Sequence, residues 1–436
     1  MKILFKITTR SRQALFIRTI NSILENKDNK DNYHLLISID DDDPAMNPPP
    51  VLKSEHYTYV SGKSKNKIDA INRDVNDFDY DWDILVNVSD DQVFILNGFD
   101  NIIRDAFSDN TDQYIHFSDG YQKSNVSSMH ICGRKYYNRD NYIYCPEYIS
   151  LWSDSENDIV AKMRNCYKYM GDDLEIFHHL HPAWGLAQMD EQYKRTQDYN
   201  IWLHDKDVFE RRKKEGFVKK IISFSLWGDD KMYTIGAIKN AELAKILYPD
   251  WICRFYIGKN TPLDIINKLK SFSNTEVIEM GVDGNWSSMF WRFYPASENN
   301  VDIMISRDCD SRLSIRERLA VEEWIKSDKG FHIMRDHPYH KTEILGGMWG
   351  VKKRVLPNMK SDIDEFLKGE YKNIDQEFLA KVIYPLIKDN SIEHDEFFNY
   401  SDSKLLFPSK RWNKEFVGDV FDENDNRNSS FWNLIE

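Results

Sequence analysis

Residues 2–9, KILFKITT, form an apolar, β-branched run, and residues 14–24, ALFIRTINSIL, then place apolar side chains at helical spacing. The chain repeats this opening at 219–225, KKIISFS, followed by the helical pattern YTIGAIKNAELAKIL at 233–247. Further apolar runs at 33–40, 83–89, 251–258 and 301–308 each lead into acidic residues or glycine. Strands alternating with helices, with carboxylates and glycines at the strand ends, predict an α/β chain with open sheets and sites beyond the strand carboxyl ends. The charged stretch RRKKEGFVKK at 211–220 reads as a linker. It divides the chain into two near-equal domains, 1–216 and 217–436. The prolines in DDDDPAMNPPP (40–50) make that segment a loop, and the tyrosine-rich stretch 136–148 reads as β-like.

Composition narrows the function classes. With 41% hydrophobic and 14% aromatic residues among 436, the chain is not intrinsically disordered. Lys plus Arg number 58 against 71 Asp plus Glu, a net −13 that excludes a general polyanion binder. No apolar run reaches the ~18 residues of a membrane span, and the N-terminal run reads as a strand rather than a signal peptide. The five cysteines, Cys132, Cys145, Cys166, Cys253 and Cys309, show no metal-ligand spacing and predict a reducing, cytoplasmic setting.

Two carboxylate motifs carry candidate chemistry. Asp90-Asp91 closes the run ILVNVS, and Asp308-Cys309-Asp310 follows VDIMISR. Hard cations such as Mn²⁺ or Mg²⁺ take one or two carboxylates and fill the remaining positions with phosphate oxygens and water. Asp40–Asp43 mark another strand end. His178, His179 and His181 follow the first motif. Asp375-Gln376 and Glu393-His394-Asp395 follow the second.

These motifs, in this order, resemble the nucleotide-sugar-dependent glycosyltransferases of the GT-A fold, once in each half. The first half resembles the family-two type. The resemblance implies Thr9, Ser11 and Arg12 at the nucleotide loop, Asp40 at the base pocket, and Asp90 and Asp91 as the metal motif. Val88 stands where the leading aspartate of that motif often lies. Apart from the resemblance, His179 and His181 lie two apart and would face the same way on an extended strand, so one of them is expected as a metal ligand, His181 foremost because Pro182 holds its backbone extended. The second half resembles the Asp-x-Asp families that include glycogenin-like transferases. Asp308 and Asp310 then match the metal motif and His394 its late histidine, with Asp375 and Gln376 as catalytic residues. Lys67, Ser225, Trp227, Arg292, Gly346 and Gly347 complete the implied donor sites. The resemblance implies two tandem Rossmann-like GT-A domains using Mn²⁺ or Mg²⁺ and a nucleotide-sugar, a UDP-sugar foremost.

Within SLWSDSEND, Asp154, Glu156 and Asp158 all compete for the role of general base, and Asp154 sits where family-two transferases carry it. Trp349, in GGMWG, offers a face for stacking a sugar ring, with a core position as the competing reading. Asn285–Trp291 reads as core or acceptor wall. Lys63, Lys65, Lys67, Arg73 and the 211–220 cluster suggest a track for a phosphate-bearing acceptor. The expected activity is bifunctional sugar transfer, inverting in the first half and retaining in the second. The acceptor is a glycan or a hydroxymethylated pyrimidine in viral DNA, because the tandem pairing resembles phage-encoded sugar transferases. Two other classes use the same carboxylates: a nucleotidyltransferase, and a chain in which one half only binds.

Overall fold

In the computed structural model, which describes residues 1–108, 110–367 and 371–435, the chain divides into two compact units, Met1–Phe217 and Val218–Glu436. The strands of the first unit are β1 (Ile3–Thr9), β2 (Tyr33–Asp40), β3 (Tyr57–Gly62), β4 (Ile84–Ser89), β5 (Gln92–Phe94), β6 (Tyr114–His116), β7 (His130–Gly133), β8 (Tyr167–Tyr169) and β9 (Phe177–His179). Seven of them form one sheet in the order β3-β2-β1-β4-β7-β6-β8, and β5 pairs with β9 separately. β1 runs parallel to β2 and β4, whereas β7 is antiparallel to β4.

The second unit contains β10 (Lys219–Leu226), β11 (Ile252–Ile257), β12 (Thr275–Glu279), β13 (Val301–Ser306), β14 (Phe331–Arg335), β15 (Trp349–Lys352), β16 (Ser391–Asp395) and β17 (Lys404–Leu405). Its sheet runs β12-β11-β10-β13-β15-β14-β16-β17. Each sheet thus places its third, second, first and fourth strands side by side in parallel, then adds an antiparallel strand at the fourth. Parallel strands covered on both faces need continuous apolar runs, which is why β1 and β10 were visible in the sequence. The helix Gln13–Asn26 packs beside β5 and buries Phe16, Ile20 and Ile23, one turn apart along one stripe, in the core shared with Phe5 and Ile7 of β1. Within each sheet the parallel central strands end at one edge of that sheet, and the candidate carboxylates follow β4 in the first unit and β13 in the second.

Several local expectations fail. No loose linker spans 211–220: the helix Tyr199–Glu215 occupies its first half and stops at Gly216, whose φ of 87° ends the helix. Arg211 and Arg212 pair with Glu147, and Arg212 also pairs with Glu156 at 2.7 Å, so these charges anchor a helix rather than line an open track. The tyrosine-rich stretch is not β but begins as the short helix Arg134–Tyr137 and continues in turns, with Tyr136, Tyr137, Tyr144 and Tyr148 buried. Trp349 is fully buried, its ring stacked on Phe331 at 5.3 Å and edge-on to Phe293, so it presents no face to a sugar. Phe290 and Trp291 are likewise core. Among the described residues, no helix is long and apolar enough to cross a membrane. All five cysteines are free and buried.

Candidate active site

The carboxyl ends of β1, β2 and β4 open into a cleft of about 370 Å³ lined by Thr9, Arg12, Asp40, Lys67, Asp90, Asp91, Asp154, His179 and His181. Asp90 and Asp91 follow β4 and are nearly fully buried, so their partners decide their chemistry. Thr9 Oγ1 donates to Asp90 Oδ2 at 2.9 Å, and Arg12 Nη1 donates to Asp90 Oδ1 at 3.1 Å. Arg12 is itself held by Asp190 at 2.8 and 2.6 Å and lies 3.9 Å from the centre of the Tyr193 ring.

Asp91 Oδ2 accepts from the Tyr193 hydroxyl at 2.6 Å and lies 3.4 Å from His179 Nε2. Its other oxygen, Oδ1, is buried without a hydrogen-bond partner. Burial, and then the charge of Asp91, push the Asp90 carboxyl up to about 6, despite Arg12 and Thr9. Burial would also raise Asp91, but hydrogen bonds from His179 and Tyr193 outweigh it and hold that carboxyl well below the usual range. Two adjacent carboxyls are therefore driven apart, and the one that keeps its charge also has a free lone pair.

The histidine assignment changes. Pairing of β5 with β9 sets Gln92 opposite His179, which brings His179 to Asp91. Its other nitrogen, Nδ1, faces Asp119 Oδ2 at 3.9 Å. His181 also lines the cleft, but its Nδ1 accepts from Ala183 N–H at 3.1 Å and its Nε2 meets Gln197 at 2.8 Å. His178 turns to Glu175. The cleft thus offers His179, not His181, beside the carboxylate. Asp91 and His179 fit a cation shared with a diphosphate; among the described residues, no group of three His, Cys, Asp or Glu side chains could hold a metal unaided.

Around this centre, Lys67 opens the helix Lys67–Asn72, and Asp40 accepts from Arg10 at 2.7 Å. Ser11 does not line the cleft: its backbone N–H donates to Asp43 at 2.7 Å, and its φ of 60° turns the loop away. Of the three acids in SLWSDSEND, the fold separates the roles. Glu156 is taken by Arg212 and Tyr148, and Asp158 accepts from Ser127 N–H. Asp154, in the first turn of the helix Ser153–Met163, alone among them lines the cleft.

In the second unit, Arg292 bridges Asp308 at 2.5 Å and Asp375 at 2.8 Å. It sits on the 3₁₀ helix Trp286–Ser297, held there because its N–H donates to Ser225 Oγ at 3.1 Å. A side chain at Gly346 would collide with Arg292 and Asp375, and one at Gly347 with Asp308, so both glycines permit the close approach. Trp227 lies against Gly258 and Gly284 beyond β10. Burial, then Asp308, push Asp310 up to about 7, and burial raises Asp375 against the pull of Arg292. Gln376 follows on the same short helix, Ile374–Phe378, half-buried. Asp308 and Asp310, two carboxylates two residues apart just beyond β13, have the donor chemistry of a hard-cation site. His394 does not join them. It is fully buried on β16, with Nδ1 against His332 at 2.8 Å and Nε2 against Glu323 at 3.1 Å, so neither nitrogen is left for a cation.

No protein-family model and no curated protein matches the sequence. Solved structures resemble it distantly. S. aureus TarS 1-349 shares 12% identity at a TM-score of 0.32, covering 41% of this chain and 60% of that one. The mannosyltransferase PcManGT from Pyrobaculum calidifontis, in complex with GDP-Man and Mn²⁺, shares 10% at 0.33, covering 49% and 75%. The glycosyltransferase GlyE of Streptococcus pneumoniae TIGR4 shares 9% at 0.31, covering 65% and 81%. The chain matches less than two thirds of TarS 1-349.

Residues not assigned from the sequence are Asp190 and Tyr193, which fix Arg12 and Asp91. Asp190 was visible only as a helix N-cap, accepting from Tyr193 N–H at 2.8 Å. No local signal marked Tyr193.

Proposed function

We propose that the chain is a cation-assisted glycosyltransferase with two sites, each taking a nucleotide-sugar, foremost a UDP-sugar, and passing the sugar to a hydroxyl. One observation carries this reading: in the first unit a charged, buried carboxylate with a free lone pair, a histidine, a basic loop and a separate acid meet in one cleft at the strand ends. Arg12 and Lys67 face the donor diphosphate, and Asp40 the nucleoside side. Asp91 and His179 would hold Mn²⁺ or Mg²⁺, which when bound offsets the charge growing on the departing diphosphate. Asp154 takes the proton of the attacking acceptor hydroxyl, giving inversion. In the second unit Asp308 and Asp310 would hold the cation. Asp375, Gln376 and Arg292 face the sugar, and the resemblance to Asp-x-Asp families predicts retention.

A glycan acceptor is favoured over modified DNA. A net charge of −13 repels duplex DNA, and the linker arginines that would have formed a track are neutralised by Glu147 and Glu156. The test is a screen of nucleotide-sugars against glycan and hydroxymethylpyrimidine-DNA acceptors, read by mass spectrometry. Sugar-sized mass added to a glycan, with release of nucleoside diphosphate, is expected. Transfer of a nucleotidyl group with release of a sugar 1-phosphate would replace the reading by the nucleotidyltransferase one.

A further inference from the structure

The helix Tyr199–Glu215 carries a carboxylate that the chemistry above does not use. Asp205 is fully buried, and its side chain collects three successive backbone N–H groups. Oδ1 accepts from Ile149 at 2.9 Å, and Oδ2 accepts from Ser150 at 2.8 Å and Leu151 at 2.7 Å. His204 Nδ1 also approaches Oδ1 at 2.9 Å. Convergent N–H groups in a turn make an anion cradle, and here the chain supplies the anion itself. The cradle belongs to the cleft: Ile149, Ser150, Leu151, Ser153 and Asp154 all line it.

The same helix face grips the rest of this segment. Trp152, whose φ of 64° turns the chain into the helix bearing Asp154, packs on Trp202 at 6.1 Å and Phe209 at 5.1 Å. Arg212 holds Glu156 two residues beyond Asp154. Positions 202, 205, 209 and 212 fall on one side of an α-helix. The loop also touches the donor wall, since Ile149 C=O accepts from Ile68 N–H at 3.2 Å beside Lys67.

We infer that Asp205 is the positioning residue that aims Asp154 into the cleft, an inference that rests on the reading of Asp154 as general base. An asparagine there sets an NH₂ group against N–H donors and cannot satisfy all three, so the rim must move. Misplacing a reacting group by about 1 Å is enough to lower a rate by as much as ~100-fold.

The test uses the full chain as Asp205→Asn, Asp154→Asn and the double variant. Amide exchange at Ile149–Leu151 should be slow in wild type and Asp154→Asn and at least about tenfold faster in Asp205→Asn. Unchanged exchange in Asp205→Asn overturns the inference. With the nucleotide-sugar that turns over in the screen, Asp205→Asn should lower kcat about tenfold or more, with donor KM within about twofold of wild type. It should add nothing to Asp154→Asn, because it acts through that residue. A loss that multiplies with that of Asp154→Asn, or one matched by a rise in donor KM, overturns positioning while leaving the base reading intact. A wild-type rate in Asp154→Asn overturns the base reading and the positioning role with it. If Asp205→Asn does not fold, Asp205→Glu keeps the carboxylate one methylene further out. A smaller, equally non-additive loss is then expected, and an additive one overturns the inference.

Discussion

The hydroxyl of Tyr193 donates to Asp91 Oδ2 at 2.6 Å across 102 residues of sequence. That bond, with the one from His179, keeps Asp91 ionised inside a buried site. Its removal defines a first experiment. Tyr193→Phe should raise the Asp91 pKa and weaken the hold on Mn²⁺, since a hydrogen bond to a charged group contributes about 1.5–3 kcal/mol. Because the folded-state pKa of Asp91 lies below its unfolded value, the stability it confers is present above the ordinary carboxylate range and is lost as pH falls. Tyr193→Phe should shrink that contribution, so the variant loses less stability than wild type as pH falls below the ordinary carboxylate range. Thermal melts at pH 3 and pH 7 with and without Mn²⁺ would show it; an equal loss in the two proteins would contradict it.

Lys6 gives a second pH signature of the same sign in an alkaline window. It is fully buried on β1, bonded to Ser38 and 4.0 Å from Asp74, and burial pushes its pKa down to about 7. Between pH 7 and the ordinary lysine value the unfolded chain binds the extra proton, so stability rises with pH across that window. Lys6→Met should abolish this rise. The wild type should gain about 3 kcal/mol on the variant between pH 7 and pH 9.5 in urea unfolding of the first unit. A constant difference between the two proteins would contradict it.

Gly347 tests the second site alone. Its Cα leaves no room for a side chain beside Asp308. Gly347→Ala should therefore remove the transfer assigned to Asp308 and Asp310 by at least about tenfold while leaving the first transfer unchanged. Separate assays of the two products would check it.

How much of this was legible depends on the range of the interaction. The repeated strand–helix openings at residues 2–24 and 219–247 could be read because central parallel strands are apolar on both faces. The carboxylates at the ends of β4 and near the end of β13 could be read because they follow those runs directly. The choice between His179 and His181 could not. It depends on where β9 stops: His179 is its last residue, paired opposite Gln92, whereas His181 lies beyond the strand and caps the 3₁₀ turn Pro182–Trp184. His394 failed for a related reason: on β16 the neighbouring Glu393 and Asp395 bind Arg335, and the histidine ring is turned to His332 and Glu323. Trp349 misled because a glycine-flanked aromatic looks the same in a sugar site and in a core strand. The 211–220 cluster misled because its partners, Glu147 and Glu156, lie more than fifty residues away in sequence.

The central claim is that two distinct sites each transfer a sugar, and one measurement addresses it directly. Asp90→Asn with Asp91→Asn, and Asp308→Asn with Asp310→Asn, are each incubated with the active nucleotide-sugars and acceptor, and the acceptor mass is recorded. The account predicts that one double variant leaves the acceptor unmodified and the other halts it after a single added sugar, while wild type carries both. Two double variants giving the same product as wild type on every acceptor, or the first giving wild-type product while the second abolishes all transfer, would contradict it.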